Sequence, residues 1–182
     1  GTITAATAWL AYEAGAFAGA PVGPGCMSVL APYDLENFSI EGLDVLVNKP
    51  RVAAYRAPGA PQAMHAMECA VDDLARELGI DPIDLRLKNA ADEGTQAPYG
   101  PQFPAIGLKA CLEAAKEHPN YKAPVPEGCG RGVASGFWFN IGMQSSAEVL
   151  IREDGTVTIN EGSPDIGGSR ASMCLMAAET LG

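Results

Sequence analysis

Near residue 130 the apolar residues of this chain change from helical to strand spacing, and that change limits the folds open to it. Met64, Met67, Val71, Leu74 and Leu78 recur three and four residues apart, the spacing of one helix face, while Glu68, Asp72, Asp73, Arg76 and Glu77 fall on other faces. From residue 130 onward the period becomes two, the spacing of strands. Helical and strand patterns in separate blocks point to an α+β fold.

Punctuation along the chain places the remaining elements. Residues 2–17 mix Thr, Trp, Tyr and Ala and are expected to form a long strand. Residues 19–28, "GAPVGPGCMS", alternate Gly and Pro so densely that a loop is expected, and "VLAPYDLENFSI" and "GLDVLVNKP" are expected as two short extended pieces. Pro61 suits the first turn of the main helix, and Gly79 ends it. Asp81 and Pro82 form the cap and first position of a second helix running to about Ala90. A third follows Pro104, with Ile106, Leu108, Cys111, Leu112 and Ala115 as its apolar side. "GRGVASGFWF" is expected as a strand, and "SAEVLIREDGTVTINEG" as a hairpin with a type I′ turn at Asp154-Gly155. "SPDIGGS" is a glycine loop that leads into a last helix, "RASMCLMAAETL".

The three prolines of residues 118–128 make that stretch the expected linker. It divides a first domain at 1–118 from a second that begins at 129 and runs to 182. The chain opens as if a hairpin had lost its first strand and closes at a helix that leads nowhere, so it reads as an internal piece of a longer polypeptide.

Charge excludes one class of partner. Twelve Lys+Arg against 22 Asp+Glu leave a net charge of -10, which repels phosphate backbones, so nucleic acid is not expected. No run approaches the roughly 20 apolar residues of a membrane span, and no secretory signal opens the chain. The five cysteines are odd in number and contain no CxxC pair, and His65 and His118 stand apart, so neither a disulfide framework nor a metal site is expected. Reduced cysteines fit a cytoplasmic setting.

Two loops carry donors. In residues 53–62, "AAYRAPGAPQ", Arg56 interrupts a run of small residues just before the main helix. Its guanidinium offers a fixed fork of donors, and Ala57 and Gly59 let backbone approach a ligand. At Gly167-Gly168-Ser169, bare N–H groups precede a helix N-terminus, which suits an anionic or strongly hydrogen-bonding group. Turn geometry alone also calls for Gly and Pro at strand-to-helix junctions, and an arginine beside one often binds a carbonyl or carboxylate. No GxGxxG or GxxxxGK[ST] phosphate motif is present.

Four ordered stretches carry a resemblance: "AAYRAPGAPQ", "LARELGIDPIDLRLKN", "GRGVASGFWF" and "DGTVTINEGSPDIGGSRASMCLMAAETLG". Together they resemble the large, molybdenum-binding subunit of the xanthine dehydrogenase/aldehyde oxidase family of molybdenum hydroxylases. The resemblance implies parts of two adjacent molybdopterin-binding domains, each α+β, with mixed β-sheets and helices packed on one face. It implies that Tyr55, Arg56 and Ala57 line the molybdenum site, that Pro58 and Gly59 shape the substrate side, and that Gly167, Gly168 and Ser169 hold the pterin. Two departures stand out: Pro58 replaces an aromatic that stacks on flat substrates in some relatives, and Gly168 replaces the glutamine of the usual Gly-Gln-Gly loop.

The implied chemistry is hydroxylation of an aldehyde or nitrogen heteroaromatic with oxygen from water. Iron-sulfur clusters and FAD on partner domains or subunits would remove the electrons, in an enzyme expected to be oligomeric. The family's base glutamate lies downstream of this chain, so no residue here is given the catalytic role, and the piece alone is expected to be inactive. The competing reading is a non-catalytic scaffold or assembly domain that keeps the fold without binding molybdenum.

Overall fold

In the computed structural model, which describes residues 1–139 and 144–182, alternation along the first strand sets the layering. β1 (Ala6–Gly15) turns Ala6, Ala8, Leu10 and Tyr12 inward and leaves Thr7, Trp9 and Ala11 exposed. It pairs in parallel with β2 (Phe38–Leu46), from Ala6 opposite Phe38 to Gly15 opposite Leu46, with one irregularity between Glu13 and Gly15. Parallel pairing requires a crossover, and the crossover contains a helix, α1 (Val22–Ser28), where a loop is expected from Gly and Pro density. Pro24 is tolerated because it stands in the first turn, where N–H groups have no intrahelical partner. Of the two extended pieces expected here, only residues 38–40 of the first are strand, and they run on into the second as β2 because Gly42 has no side chain to collide with Val22 and Cys26 of α1 lying over it. Residues 29–37 turn instead, with a bridge from Tyr33 to Ala90.

α2 (Ala60–Leu78) begins at Gly59 and ends at the left-handed Gly79, whose N–H bonds back to Ala75 and Arg76. Its buried face differs from the expected stripe. Ala60, Ala63, Met64, Glu68, Val71 and Ala75 are buried, while Leu74 and Leu78 are substantially exposed. Ala63, Val71 and Ala75 join Val29, Leu30, Tyr33, Leu35 and Leu85 in the main core. Burying a Leu or Val there is worth about 1.5–3 kcal/mol. α3 (Pro82–Asn89) is capped by Asp81, whose carboxylate accepts from Ile83 N–H at 2.8 Å and Asp84 N–H at 3.2 Å. α4 (Leu108–Glu117) buries Leu112, with Ile106 ahead of the helix rather than in it, and a single turn, α5 (Pro119–Lys122), follows.

The described residues divide into two compact units, Gly1–Trp138 and Phe139–Gly182. The proline stretch at 118–128 therefore falls inside the first unit. "GRGVASGFWF" lies outside every strand among the described residues, where a strand is expected. Within the first unit it is tied down through a side chain instead: Ser135 N–H donates to the Glu68 carboxylate at 2.7 Å.

In the second unit, β3 (Glu148–Ile151) and β4 (Val157–Asn160) form the expected antiparallel hairpin. The turn is not type I′, which requires positive φ at both central residues. Only Gly155 has positive φ, at 82°, with its N–H bonded to Arg152 O at 2.9 Å and Arg152 N–H bonded to Thr156 O at 2.9 Å. That is a tight turn closed by a left-handed glycine, one residue longer than a two-residue loop. α6 (Ser169–Leu181) ends the unit. Mixed helices and small sheets are thus the architecture, and no helix among the described residues is long and apolar enough to cross a membrane.

Candidate cofactor-binding loops

Residues 53–58 are held at both ends by the same strand. At the near end, Val52 N–H donates to Ala14 O of β1 at 3.1 Å. At the far end, the Tyr12 hydroxyl donates to Gly59 O at 2.6 Å, and the same carbonyl receives Ala63 N–H at 3.3 Å as the first turn of α2 closes. Burial, and the Cys26 thiol beside it, raise the Tyr12 pKa, so the hydroxyl keeps its proton and remains a donor.

Between these tethers the backbone is bent hard. Ala57 has φ 53°, alone among the described non-glycine residues in being left-handed, and Gly59 follows at φ 84°. A left-handed alanine costs on the order of 1 kcal/mol, and it persists because Ala60 N–H bonds to Ala57 O at 3.1 Å and the tethers fix both sides. Gly59 is buried, and a Cβ there would run into Pro21 O of the turn before α1. Its place is therefore against the fold. Tyr55 and Arg56 are exposed, and Ala57 and Pro58 are half-buried. The bend aims the expected ligand-facing residues outward and keeps Gly59 behind them.

The second loop belongs to the other unit. Gly167 and Gly168 are both left-handed, at φ 65° and 87°, and lead directly into α6. No neighbour lies where a Cβ on Gly168 would stand, so backbone conformation, not space, accounts for glycine here. Ser169 Oγ accepts from Ile166 N–H at 3.1 Å and sits 3.2 Å from Asp165 Oδ1, which itself receives Arg170 N–H at 3.3 Å. Asp165 thus occupies part of the donor set at this helix N-terminus.

A third polar cluster was invisible to spacing. The Glu68 carboxylate, buried in α2, accepts from the Tyr33 hydroxyl, from Arg86 Nε at 2.8 Å and from Ser135 N–H at 2.7 Å. Arg86 also reaches Asp72 Oδ1 at 2.8 Å and Pro82 O at 3.1 Å. Burial opposes the Arg86 charge, but the Glu68 and Asp72 carboxylates outweigh it and hold the guanidinium firmly protonated. Burial, reinforced by Glu68, pushes the Tyr33 phenol well above its ordinary value. The Glu68 carboxylate and the Arg86 guanidinium both find partners inside the fold, so this cluster is structural, although the Ser135 hydroxyl has no hydrogen-bond partner among the described residues.

Residues 1–90, which include the 55–59 loop, match the molybdopterin cofactor-binding domain family. The chain is 35% identical over 151 residues to the putative xanthine dehydrogenase molybdenum-binding subunit of Escherichia coli K12, covering 74% of this chain and 20% of that protein. It is 30% identical over 166 residues to the aldehyde oxidoreductase of Megalodesulfovibrio gigas, covering 85% of this chain and 18% of that protein. The crystal structure of the aldehyde oxidoreductase from Desulfovibrio desulfuricans superposes with a TM-score of 0.62 at 28% identity, over 82% of this chain and 18% of that one. The chain belongs to the xanthine dehydrogenase/aldehyde oxidase family of molybdenum hydroxylases. It spans about a fifth of the length of the relatives it matches.

For a molybdenum hydroxylase, the donor chemistry of both loops is of the right kind. A molybdopterin group presents anionic and carbonyl oxygens. The exposed Arg56 fork and the glycine backbone ahead of α6 carry N–H donors of the kind such atoms accept. Sequence reasoning singled out both loops but passed over Tyr12, whose hydroxyl bonds to Gly59 O at the end of the first. The inward side of the β1 alternation was the available signal for Tyr12.

Proposed function

We propose that this chain is part of the molybdenum-binding subunit of a hydroxylase that oxidises an aldehyde or nitrogen heteroaromatic with oxygen taken from water. Bound molybdopterin supplies two-electron redox chemistry at molybdenum. Tyr55, Arg56 and Ala57 border the metal centre, with the Arg56 guanidinium or backbone N–H placed as a donor. Pro58 lies on the substrate side, and Gly59 supports it from behind. Gly167, Gly168 and Ser169 receive the pterin through backbone N–H groups and the N-terminus of α6, with the side-chain contact of a glutamine replaced by backbone alone. The rest of the enzyme carries the base, iron-sulfur clusters and FAD, and works as a cytoplasmic oligomer. Residues 1–118 and 129–182 are assigned to two adjacent cofactor-binding domains, with 129–138 packed into the compact unit of the first.

The observation that carries this reading is the 55–59 bend, in which a strained, left-handed Ala57 exposes Arg56 at the start of α2 within the family's cofactor-binding domain. Strain retained at a solvent-facing turn fits a ligand-holding role better than a connector. Gly168 favours a second reading, a scaffold that keeps the fold without the metal. Molybdenum analysis and electron paramagnetic resonance of the enzyme that contains this chain separate the two. One molybdenum per subunit with a substrate-reducible signal is expected, and a metal-free protein, under conditions that load a relative, supports the scaffold.

A further inference from the structure

The Tyr12 hydroxyl reaches Gly59 through a gap that one glycine leaves open. A Cβ at Gly25 of α1 would stand 2.5 Å from Tyr12 Oη, so any other residue there would press on the hydroxyl. Gly59 lies on the same spot from the other side, against Pro21 O, with Gly25 N 3.1 Å from where its Cβ would be. Three elements therefore meet around Gly59: β1 through the Tyr12 hydroxyl on its carbonyl, α1 through Gly25 and Pro21 against its Cα, and α2, which it starts. A buried tyrosine needs an acceptor for its proton, but many would serve. The one used here is the last residue of the Arg56 bend, and the strand that supplies it also holds the bend's first residue, through Ala14 O and Val52 N–H at 3.1 Å.

We infer that Tyr12 is a positioning residue for the cofactor-facing loop, fixing the left-handed turn at 57–59 so that Arg56 is held against the molybdenum centre, with Gly25 keeping the path of its hydroxyl clear. This inference rests on the assignment of the 55–59 loop to that centre. Without the hydroxyl, Gly59 O retains only the 3.3 Å bond from Ala63 N–H. The left-handed Ala57 then loses one of its two anchors and relaxes toward a commoner conformation, carrying Arg56 with it. Displacement of a positioning group by about 1 Å costs up to 10²-fold in rate.

The test uses the holoenzyme that contains this chain, in three variants: Tyr12→Phe, Gly25→Ala and Arg56→Ala. Molybdenum content, melting temperature, kcat, KM and the paramagnetic resonance signal of partly reduced molybdenum are measured for each. Tyr12→Phe is expected to keep most of its metal and melt near the wild type. Its molybdenum signal shifts and its kcat falls roughly 10- to 100-fold. Gly25→Ala, which pushes the hydroxyl aside rather than deleting it, gives the same spectroscopic change. If Tyr12→Phe and Gly25→Ala lower the melting temperature but leave the signal and turnover per molybdenum unchanged, while Arg56→Ala alters them, Tyr12 serves only the fold and the inference is overturned. The same conclusion follows if neither variant loads metal and Arg56→Ala does. If Arg56→Ala is itself silent, the loop is not at the metal, and the inference falls together with the site assignment.

Discussion

Glu68 Oε2 lies 2.8 Å from Arg86 Nε, with the two side chains 6% and 0% exposed, so a full ion pair is enclosed between α2 and α3. Its energetic meaning lies in what remains when one partner goes. Glu68→Gln leaves a buried guanidinium facing an amide, with Asp72 as its sole carboxylate partner. A loss of about 3–5 kcal/mol is expected, read as a lower denaturant midpoint. Replacing both Glu68 and Arg86 with Leu is expected to recover part of that loss, because no uncompensated charge is left. A double variant no more stable than Glu68→Gln would show that geometry, not charge, is at stake.

The hairpin of the second unit offers a milder test. Gly155 has φ 82° and open space where a side chain would go, so Gly155→Val introduces strain without collision. About 1 kcal/mol of destabilisation is expected. Gly59→Ala combines the same conformational penalty with a collision at Pro21 O and is expected to lose more. Melting temperatures of the two variants, compared in one background, check the order.

Arg56 can be tested without removing its charge. Arg56→Lys keeps a cation but loses the planar fork. In the holoenzyme it is expected to fold, retain molybdenum and turn over 10²- to 10³-fold more slowly, as for loss of one well-placed transition-state donor. A destabilised variant with wild-type turnover per metal would instead make Arg56 a turn residue only.

Alkaline pH should reveal the cap of α3. The Tyr121 hydroxyl donates to both Asp81 oxygens, at 3.0 and 2.9 Å, and burial first, then Asp81, raise its pKa to about 12. Because the folded value lies above the ordinary one of roughly 10, this contact contributes its full stability below pH ~10. The contribution is lost as pH rises toward the folded value. Tyr121→Phe is expected to flatten that part of the stability profile and to remove one late step from the phenolate absorbance titration.

Local chemistry was legible in the sequence wherever a residue's role is decided by its neighbours along the chain. Asp81-Pro82 starts a helix because a carboxylate can reach its own N–H groups and a proline has none to lose, and Gly79 ends one because it accepts a left-handed φ. The hairpin at residues 148–160 and the glycine loop before α6 were legible for the same reason, as was the arginine bend. Roles decided by distant partners were not. Glu68 looked solvent-facing by charge, yet Arg86, Tyr33 and Ser135 N–H satisfy it in the core, while Leu74 and Leu78 stay on the surface. Residues 19–28 looked irregular by composition, yet α1 forms there because Gly25 makes room for Tyr12 and Gly42 makes room for α1 itself. Residues 130–139 have a strand's alternation yet lie outside the strands among the described residues, because alternation does not say which second strand would pair with it. Periodicity records which way side chains point; only tertiary contact decides what they meet.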